Sequence, residues 1–492
     1  MNKKSIKKIV AGAALAIGGY NTYKASKFVP EKREWEPLPE TQVDTEKFMR
    51  DLSDAIKIKT ISNINPEKVD WAEFDRFHKF LEERFPLMHE KLNKEIVGKA
   101  SLMFLWKGSD SALDPVALLG HQDVVPVSKG TENDWEHDAF SGYNDGEFIW
   151  GRGALDMKNH LIAVCEAVES LLSEGFTPVR DVYLLFGHNE EVMAEGKDSG
   201  AQLMCSLLHE RGIHLDCVID EGGAILPVNI PGVCNKEVAG IGIAEKGHCD
   251  FEISLYGKGG HSSQAPDHNA LGKLSYVIQD LENHQFESEL SPLMRELIDK
   301  VGRNLSLPAR AIACNYKALT PLILAVCKRI PSAASMIRTT TAVTMASGSP
   351  AANVLPQKAS ITANFRIMPG QTVTDVERHI KKVVKNKDIE VRLIKGSDPS
   401  KISPTDSRCF KILEDICYRM NTSSVVAPYL VMGGTDARNY EDVCENIYRY
   451  SPFKAGADLL LTCHGTNERI PIECLGQAVE FFKYYIMTVS EE

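Results

Sequence analysis

The sequence predicts an α/β protein: a mostly parallel central sheet with helices on both faces, plus an inserted, smaller α+β domain. Three observations predict it. Short, nearly unbroken apolar runs (SLMFLW at 101–106, VALLG at 116–120, VYLLFG at 182–187, CVID at 217–220) read as strands buried on both faces. The segments between several of them carry apolar residues at three-to-four spacing, which is the helical period. Beyond about Gly240 the strands change character, and DFEISLYG (250–257) and ASITANFRI (359–367) alternate apolar with polar, as half-exposed antiparallel strands do.

Taken in order, residues 1–26 open with four lysines before an apolar stretch from Ile9 to Tyr20, and Lys24 and Lys27 follow it, the pattern of a signal peptide or signal anchor. The stretch is shorter than the roughly 20 residues that a spanning helix needs. It predicts a membrane-anchored or exported chain; an amphipathic tail on a cytoplasmic enzyme is the alternative, which free cysteines favour. Residues 27–44, rich in Pro and charge, read as a linker. Residues 45–246 read as the first part of the larger domain. It opens with a helix through Phe48, Leu52 and Ile56, then a second from Trp71 to Phe85, and a third spans Asn159 to Leu172. Residues 247–397 read as the inserted lid or dimerisation domain, with a helix-rich stretch over 270–340, a helix at 373–385 and a strand at 389–394. Residues 398–492 return to the larger domain through a helix from Cys409 to Met420, a strand from Asn446 to Tyr450 and a helix after Pro471. No repeat or low-complexity tract interrupts this order.

Composition narrows the function. With 43% hydrophobic and 25% charged residues the chain is an ordinary globular protein, and 492 residues exceed what one core supports. A formal charge of −11 argues against a nucleic-acid partner, which calls for a basic excess. The 12 cysteines form no CxxC pair. Those in apolar runs, such as Cys165, Cys217, Cys327 and Cys463, read as small core hydrophobes, and a thiolate metal site is not expected.

The chemistry lies where the apolar strands stop. VALLG runs into His121-Gln122-Asp123, VYLLFG into His188-Asn189-Glu190-Glu191, and CVI into Asp220-Glu221. In open α/β sheets ligands bind beyond the carboxyl ends of the strands, so these side chains are expected to converge, together with Asp156 of the loop GRGALDMKN. Several carboxylates with one or two histidines suit a divalent ion such as zinc or manganese. A carboxylate shared by two ions serves as a bridge, and another off the metal can take a proton from water. Each signal has a plainer reading: His121 with Asp123 as a surface pair, Glu190-Glu191 as solvated charge, Asp156 as a helix cap.

The strings GHQDVVPV, HDAFSG, WGRGALDMKN, GHNEE, DEGG and HGTNERI, in this order from about residue 45 onward, resemble the di-zinc exopeptidases. This family includes carboxypeptidase S, glutamate carboxypeptidase, aminoacylase and succinyl-diaminopimelate desuccinylase, and GRGALD and HGTNERI resemble the carboxypeptidase S branch most. The resemblance implies two zinc ions per chain, with manganese or cobalt as substitutes. It implies His121 and Asp220 on one ion, with the neighbouring Glu221 as the alternative to Asp220, Glu191 and His464 on the other, and Asp156 between them, often followed by a cis peptide bond. It further implies that Asp123 fixes the ring of His121, that Glu190 is the base, and that His261 of GKGGHSSQAP stabilises the oxyanion, in many members from the second copy of a homodimer. Asn353 and Arg366 match substrate-binding positions, an Arg being suited to a substrate carboxylate. The implied function is hydrolysis of an amide next to a free carboxylate, on short peptides as a carboxypeptidase or, alternatively, on N-acyl amino acids as an aminoacylase-like amidohydrolase. A non-catalytic binding protein on the same fold is the third reading, and the full set of ligands and base argues against it. Glycines of GKGGHSSQAP do not form a phosphate loop.

Overall fold

The computed structural model describes residues 19–30, 36–38, 41–192 and 199–491. The signal-like segment therefore lies outside the described residues apart from 19–26. Among the described residues, no helix is long and apolar enough to cross a membrane. The described parts of the linker lie against the body: Arg419 Nε donates to the Glu36 carbonyl, and the Thr41 amide to Glu480 Oε1.

The larger sheet is built on strands β1 (Asn93–Val97), β2 (Ser101–Trp106), β3 (Val116–His121), β4 (Val182–Gly187), β5 (Cys217–Asp220), β6 (Ala224–Ile230) and β7 (Cys234–Glu245), which the chain later extends. A second sheet is made by β8 (Gly247–Tyr256), β9 (Thr340–Ser347), β10 (Lys358–Ile367) and β11 (Glu390–Ser397), all antiparallel and ordered β9-β10-β8-β11. The chain then returns to the first sheet with β12 (Val425–Val431) and β13 (Ile447–Arg449). The order there is β1-β2-β4-β3-β5-β13-β7-β12, with β6 hydrogen-bonded to β7. Its centre, β4-β3-β5-β13, is parallel, and antiparallel pairs flank it.

The central strands are apolar throughout because they serve two cores. Val116, Leu118, Val182, Leu184, Phe186, Cys217 and Ile219 face one side. They pack there with α1 (Thr45–Ile56), α2 (Trp71–Arg84), α3 (Lys158–Ser173) and, from the far end of the chain, the helices Arg408–Met420 and Leu475–Glu491. Ala117, Leu119, Tyr183, Leu185 and Val218 face the other side, against α4 (Gly200–Glu210). This is the period of two expected of strands. Helix starts follow local chemistry: Asp44 and Asp70 accept the amides of Lys47 and Ala72 in the first turns of α1 and α2. The second sheet has its own core of Phe251, Ile253, Ile361, Phe365 and Ile380.

The sequence reading missed the strands β1, β6, β7, β9 and β12. In β7 the run VAGIGIA carries glycines, which depress strand propensity, yet Gly242 lies so close to β12 and β13 that a Cβ there would meet Val431 Cγ2 at 2.6 Å. At Gly242 the neighbouring strands leave no room for a side chain.

A buried ion pair fastens these late strands together. Glu245, at the end of β7, accepts Arg449 Nε of β13 at 2.6 Å, with both side chains 1% exposed or less. It also accepts the Thr435 amide and hydroxyl from the loop after β12. Removing one partner strands the other charge, so Glu245→Ala is expected to cost about 3–5 kcal/mol in denaturant unfolding; a loss under about 1 kcal/mol would show that the pair is not a fastening.

Candidate active site

The parallel strands deliver their last residues to one edge. His121 ends β3, and its Nδ1 donates to the Asp123 carbonyl at 2.9 Å, which leaves Nε2 as the free ligand atom. That Nε2 lies 3.1 Å from Asp156 Oδ1 and 3.3 Å from Glu221 Oε1. On the opposite side, His464 Nε2 lies 3.0 Å from Asp156 Oδ2 and 2.9 Å from Glu191 Oε2. Asp156 thus turns one oxygen to each histidine, and each histidine has its own glutamate. The Asp156–Met157 peptide is cis.

Asp156 sits in a loop that Glu468 organises. One oxygen of the fully buried Glu468 accepts the amides of Gly153, Leu155 and Asp156 at 2.9–3.1 Å, and the other pairs with Arg152. Burial pushes this carboxyl up to about 7. The loop's other anchor is Lys158, whose ammonium donates to the carbonyls of Ala55 and Ile58 inside the protein. Glu468 was not singled out in sequence, although it belongs to HGTNERI, four residues after His464. Its role depends on amides more than 300 positions earlier in the chain.

Asp123 is placed as expected but does more than expected. Its carboxylate is 3.5 Å from His121 Nδ1, the nearer partner of that nitrogen being its own backbone carbonyl. Its two oxygens accept the amides of Glu190 and Glu191, at 3.1 Å each, and one also accepts the Ser62 hydroxyl. One buried carboxylate therefore holds a metal-facing histidine and the two glutamates that follow β4. The neighbouring charges and hydrogen bonds keep it below the usual carboxylate range against its own burial.

One assignment needs correcting. Asp220 does not face the histidines: its carboxylate accepts the amides of Ala437 and Glu221 and is 1% exposed. Those amides hold each of its two oxygens, and Glu221, one residue on, projects toward His121 instead. Asp220 ties the loop GGTDAR (433–438), which follows β12, to β5. Cys463 is also not the core hydrophobe its apolar surroundings suggest; it is half-buried, with Sγ 2.9 Å from Asp156 Oδ2. His464 holds φ 58°, a left-handed conformation rare for a side chain of this size.

A cavity of about 610 Å³ opens over the cluster. Asp156, Glu190, Glu191, Glu221 and His464 line its floor, and Arg366 reaches its wall from β10. The rest is largely apolar: Leu226, Tyr429, Val431, Phe453 and Leu460 among others. His261 and Asn353 are not in this wall. Both are exposed on the second sheet's side, in a short ladder where the Ser262 amide donates to the Asn353 carbonyl.

The donor set fits metal binding. The four histidine–carboxylate separations approach the roughly 3.3 Å between ligand atoms of one tetrahedral zinc with bonds of about 2.0–2.1 Å. Glu191 Oε1 is buried and has no hydrogen-bond partner among the described residues. Burial, together with Asp156, lifts Glu221 to about 8; burial also lifts Glu190, and burial and Asp156 lift Glu191. So many carboxylates in one dry place call for a cation.

Comparison with known proteins identifies the class. Residues 117–488 match the model of Peptidase family M20/M25/M40. The chain is 36% identical over 449 residues to a probable carboxypeptidase S-like 2 of Dictyostelium discoideum, covering 90% of this chain and 84% of that protein. It is 34% identical to carboxypeptidase S of Saccharomyces cerevisiae, covering 89% and 84%, and 32% identical to the N-fatty-acyl-amino acid synthase/hydrolase PM20D1 of Mus musculus, covering 89% and 87%. An M20 family metallo-carboxypeptidase from Sulfolobus solfataricus superposes with TM-score 0.64 at 20% identity, covering 89% of this chain and 98% of that one, and so shares the fold. The chain belongs to the M20 peptidase family, a family of metal-dependent hydrolases. Within it, the carboxypeptidase S branch is where it falls.

Two outcomes follow from the site's electrostatics. Hydrogen bonds that His464 donates to Asp156 and Glu191 raise it to about 10, and Glu190 and Glu221 are raised as well. All three groups bind protons more tightly folded than unfolded, so their contribution is present at low pH and lost as pH rises. In chelator-treated protein these groups contribute less stability as pH rises through about 8 and about 10, so the stabilisation gained from a divalent cation should grow over that range; a cation effect independent of pH would contradict the arrangement. For Asp123→Ala, metal affinity measured by chelator competition should fall about 10–100-fold, and unchanged affinity would remove Asp123 from the scheme.

Proposed function

We propose that this chain hydrolyses an amide bond adjacent to a free carboxylate, as a carboxypeptidase acting on short peptides. The observation that carries the reading is the placement of Asp156 between His121 and His464, with Glu190 and Arg366 on the walls of one cavity. His121 with Glu221, His464 with Glu191, and Asp156 between them would hold two zinc ions, which when bound polarise the scissile carbonyl and acidify water.

The protein's own residues do the rest. Arg366 pairs with the substrate carboxylate and sets the distance from that end to the reacting carbonyl. Glu190, fixed through its backbone by Asp123, faces the cavity with a carboxyl raised by burial, which suits a base working near neutral pH. It takes a proton from water as the water oxygen bonds to the carbonyl carbon. It then gives that proton to the nitrogen as the C–N bond breaks, leaving an amine and a carboxylic acid, which loses its own proton to solvent. His261 lies outside the cavity of its own chain, which supports a homodimer in which a second copy presents it, or closure of the inserted domain.

A specific observation favours a second reading. The apolar wall of Leu226, Tyr429, Val431, Phe453 and Leu460 suits an acyl chain better than a polar peptide, and one relative is named as a hydrolase of N-fatty-acyl amino acids. A panel of dipeptides and N-acyl amino acids of graded chain length, assayed with and without chelator, separates the two. Turnover of dipeptides alone supports the peptidase, rising rates with acyl length support the amidohydrolase, and activity insensitive to chelator contradicts both. Glu190→Gln should lower kcat about 10²–10⁴-fold with metal content unchanged. Arg366→Ala should lower kcat/KM about 10–100-fold for substrates bearing the carboxylate but hardly at all for their amides, a difference that a purely structural arginine would not produce.

A further inference from the structure

We propose that the inserted domain carries a membrane-docking face, on which the outer side of the helix Tyr316–Cys327 lies against an anionic lipid surface. The occupant is the bilayer, rather than a second copy of the chain or one of its own segments. The inference rests on the surface of the insert and is independent of the catalytic reading.

The helix reads YKALTPLILAVC and is apolar nearly all round. A helix of that composition is ordinarily buried on every side, yet none of its residues is buried here. Its inner side, with Tyr316, Ile323, Leu324 and Cys327, packs against Leu290, Met294 and Ile337. Its outer side exposes Ala318, Leu322, Ala325 and Val326, and Ile330 just past the helix end continues the stripe at three-to-four spacing. Leu322, Val326 and Ile330 are 56%, 50% and 49% exposed. Leu307 and Ile312, on the preceding helix Leu307–Ala313, are exposed as well. Scattered exposed apolar residues are ordinary, whereas a contiguous apolar stripe marks a contact surface. At 12 residues the helix is too short to cross a bilayer and suited to lying in its interface.

Two observations say what covers this face. The first is charge. Residues 300–374 hold nine Lys or Arg and no Asp or Glu, in a chain whose formal charge is −11. Lys317, Lys328 and Arg329 stand exposed at the two ends of the helix and enter no ion pair among the described residues. An apolar stripe rimmed by such cations complements a bilayer with anionic headgroups. A second copy docking through the same patch would set like charges against one another.

The second observation is where the chain arrives. Residues 19–27 are helical and lie against the insert: Lys24 Nζ donates to Asn315 Oδ1 at 3.0 Å, and the Arg303 guanidinium covers the Phe28 ring at 4.6 Å. The first described residues therefore stand beside this face. The sequence before them, four lysines and then an apolar stretch from Ile9, has the same affinity for lipid. Tyr20 and Tyr23 are exposed there, and tyrosine is a residue suited to the headgroup level.

Vesicle flotation of the full-length protein tests the proposal, with phosphatidylcholine alone and with equal parts phosphatidylcholine and phosphatidylserine. The wild type should bind the mixed vesicles, and salt should weaken that binding. The double variant Leu322→Asp/Val326→Asp should bind them at least about tenfold more weakly. Lys328→Glu/Arg329→Glu should lose at least about tenfold on mixed vesicles and little on phosphatidylcholine alone. No vesicle binding by the wild type would overturn the proposal. So would full binding by Leu322→Asp/Val326→Asp, which would assign the contact to residues 1–18. A wild-type dimer in sedimentation velocity that this variant converts to monomer, with no vesicle binding, would make the face an interface between copies and overturn the proposal as well. Should the variants fail to fold, judged by circular dichroism, wild-type protein decides. Mixed vesicles should then slow hydrogen–deuterium exchange across residues 316–330, and equal exchange with and without vesicles would overturn the docking face.

Discussion

Asp156 must present one oxygen to His121 and the other to His464, and these histidines come from opposite ends of a 492-residue chain. Much of the fold can be understood as a means of meeting that demand. The parallel run β4-β3-β5-β13 brings His121, Glu191 and Glu221 to one edge. The loop that carries Asp156 is drawn in by three backbone amides onto Glu468, which stands on the same short segment as His464. Because one segment supplies both the histidine and the carboxylate that shapes the Asp156 loop, any shift of that segment moves two of the centre's parts together.

The same economy recurs around Asp123. A single buried carboxylate receives the amides of Glu190 and Glu191, so that both cavity-lining glutamates are positioned from behind by one group. Behind these stand further charged residues, Asp220 on the GGTDAR loop and Glu245 on Arg449 and Thr435, each with its lone pairs taken up by amides, a hydroxyl or a guanidinium. Buried charge costs little only where such partners are present. Among the carboxylates facing the cavity, Asp156 is held by two histidines, Glu190 and Glu221 are pushed up, and Glu191 keeps an oxygen without a hydrogen-bond partner among the described residues.

The cavity adds a second contrast. Its floor is anionic, and its upper wall is apolar with Arg366 contributed by the other sheet. A substrate with a carboxylate at one end and an apolar group at the other would find partners for both, which is why peptide and N-acyl amino acid remain the two classes in contention. The floor comes from the ends of the parallel strands and the Asp156 and His464 loops, whereas the wall is assembled from β6, β12 and the segment after β13, the parts least evident in sequence.

The sequence by itself determined the central strands, the residues at their ends and the family, because buried parallel strands must be apolar along their length and polar residues at their termini stand out against that background. It also determined His121, Asp123, Asp156, Glu190, Glu191 and His464 as a group, through strings whose order and spacing are specific. Only the tertiary structure decided between Asp220 and Glu221, since adjacent residues at a strand end diverge and which one meets the histidine depends on where the GGTDAR loop supplies an amide. It alone moved Cys463 from the core to the side of Asp156 and gave Glu468 its role, because both depend on partners roughly three hundred positions away in the chain. And it alone revealed β7 and β12, strands whose glycines and lone proline weaken the local signal but which close packing against their neighbours holds in place.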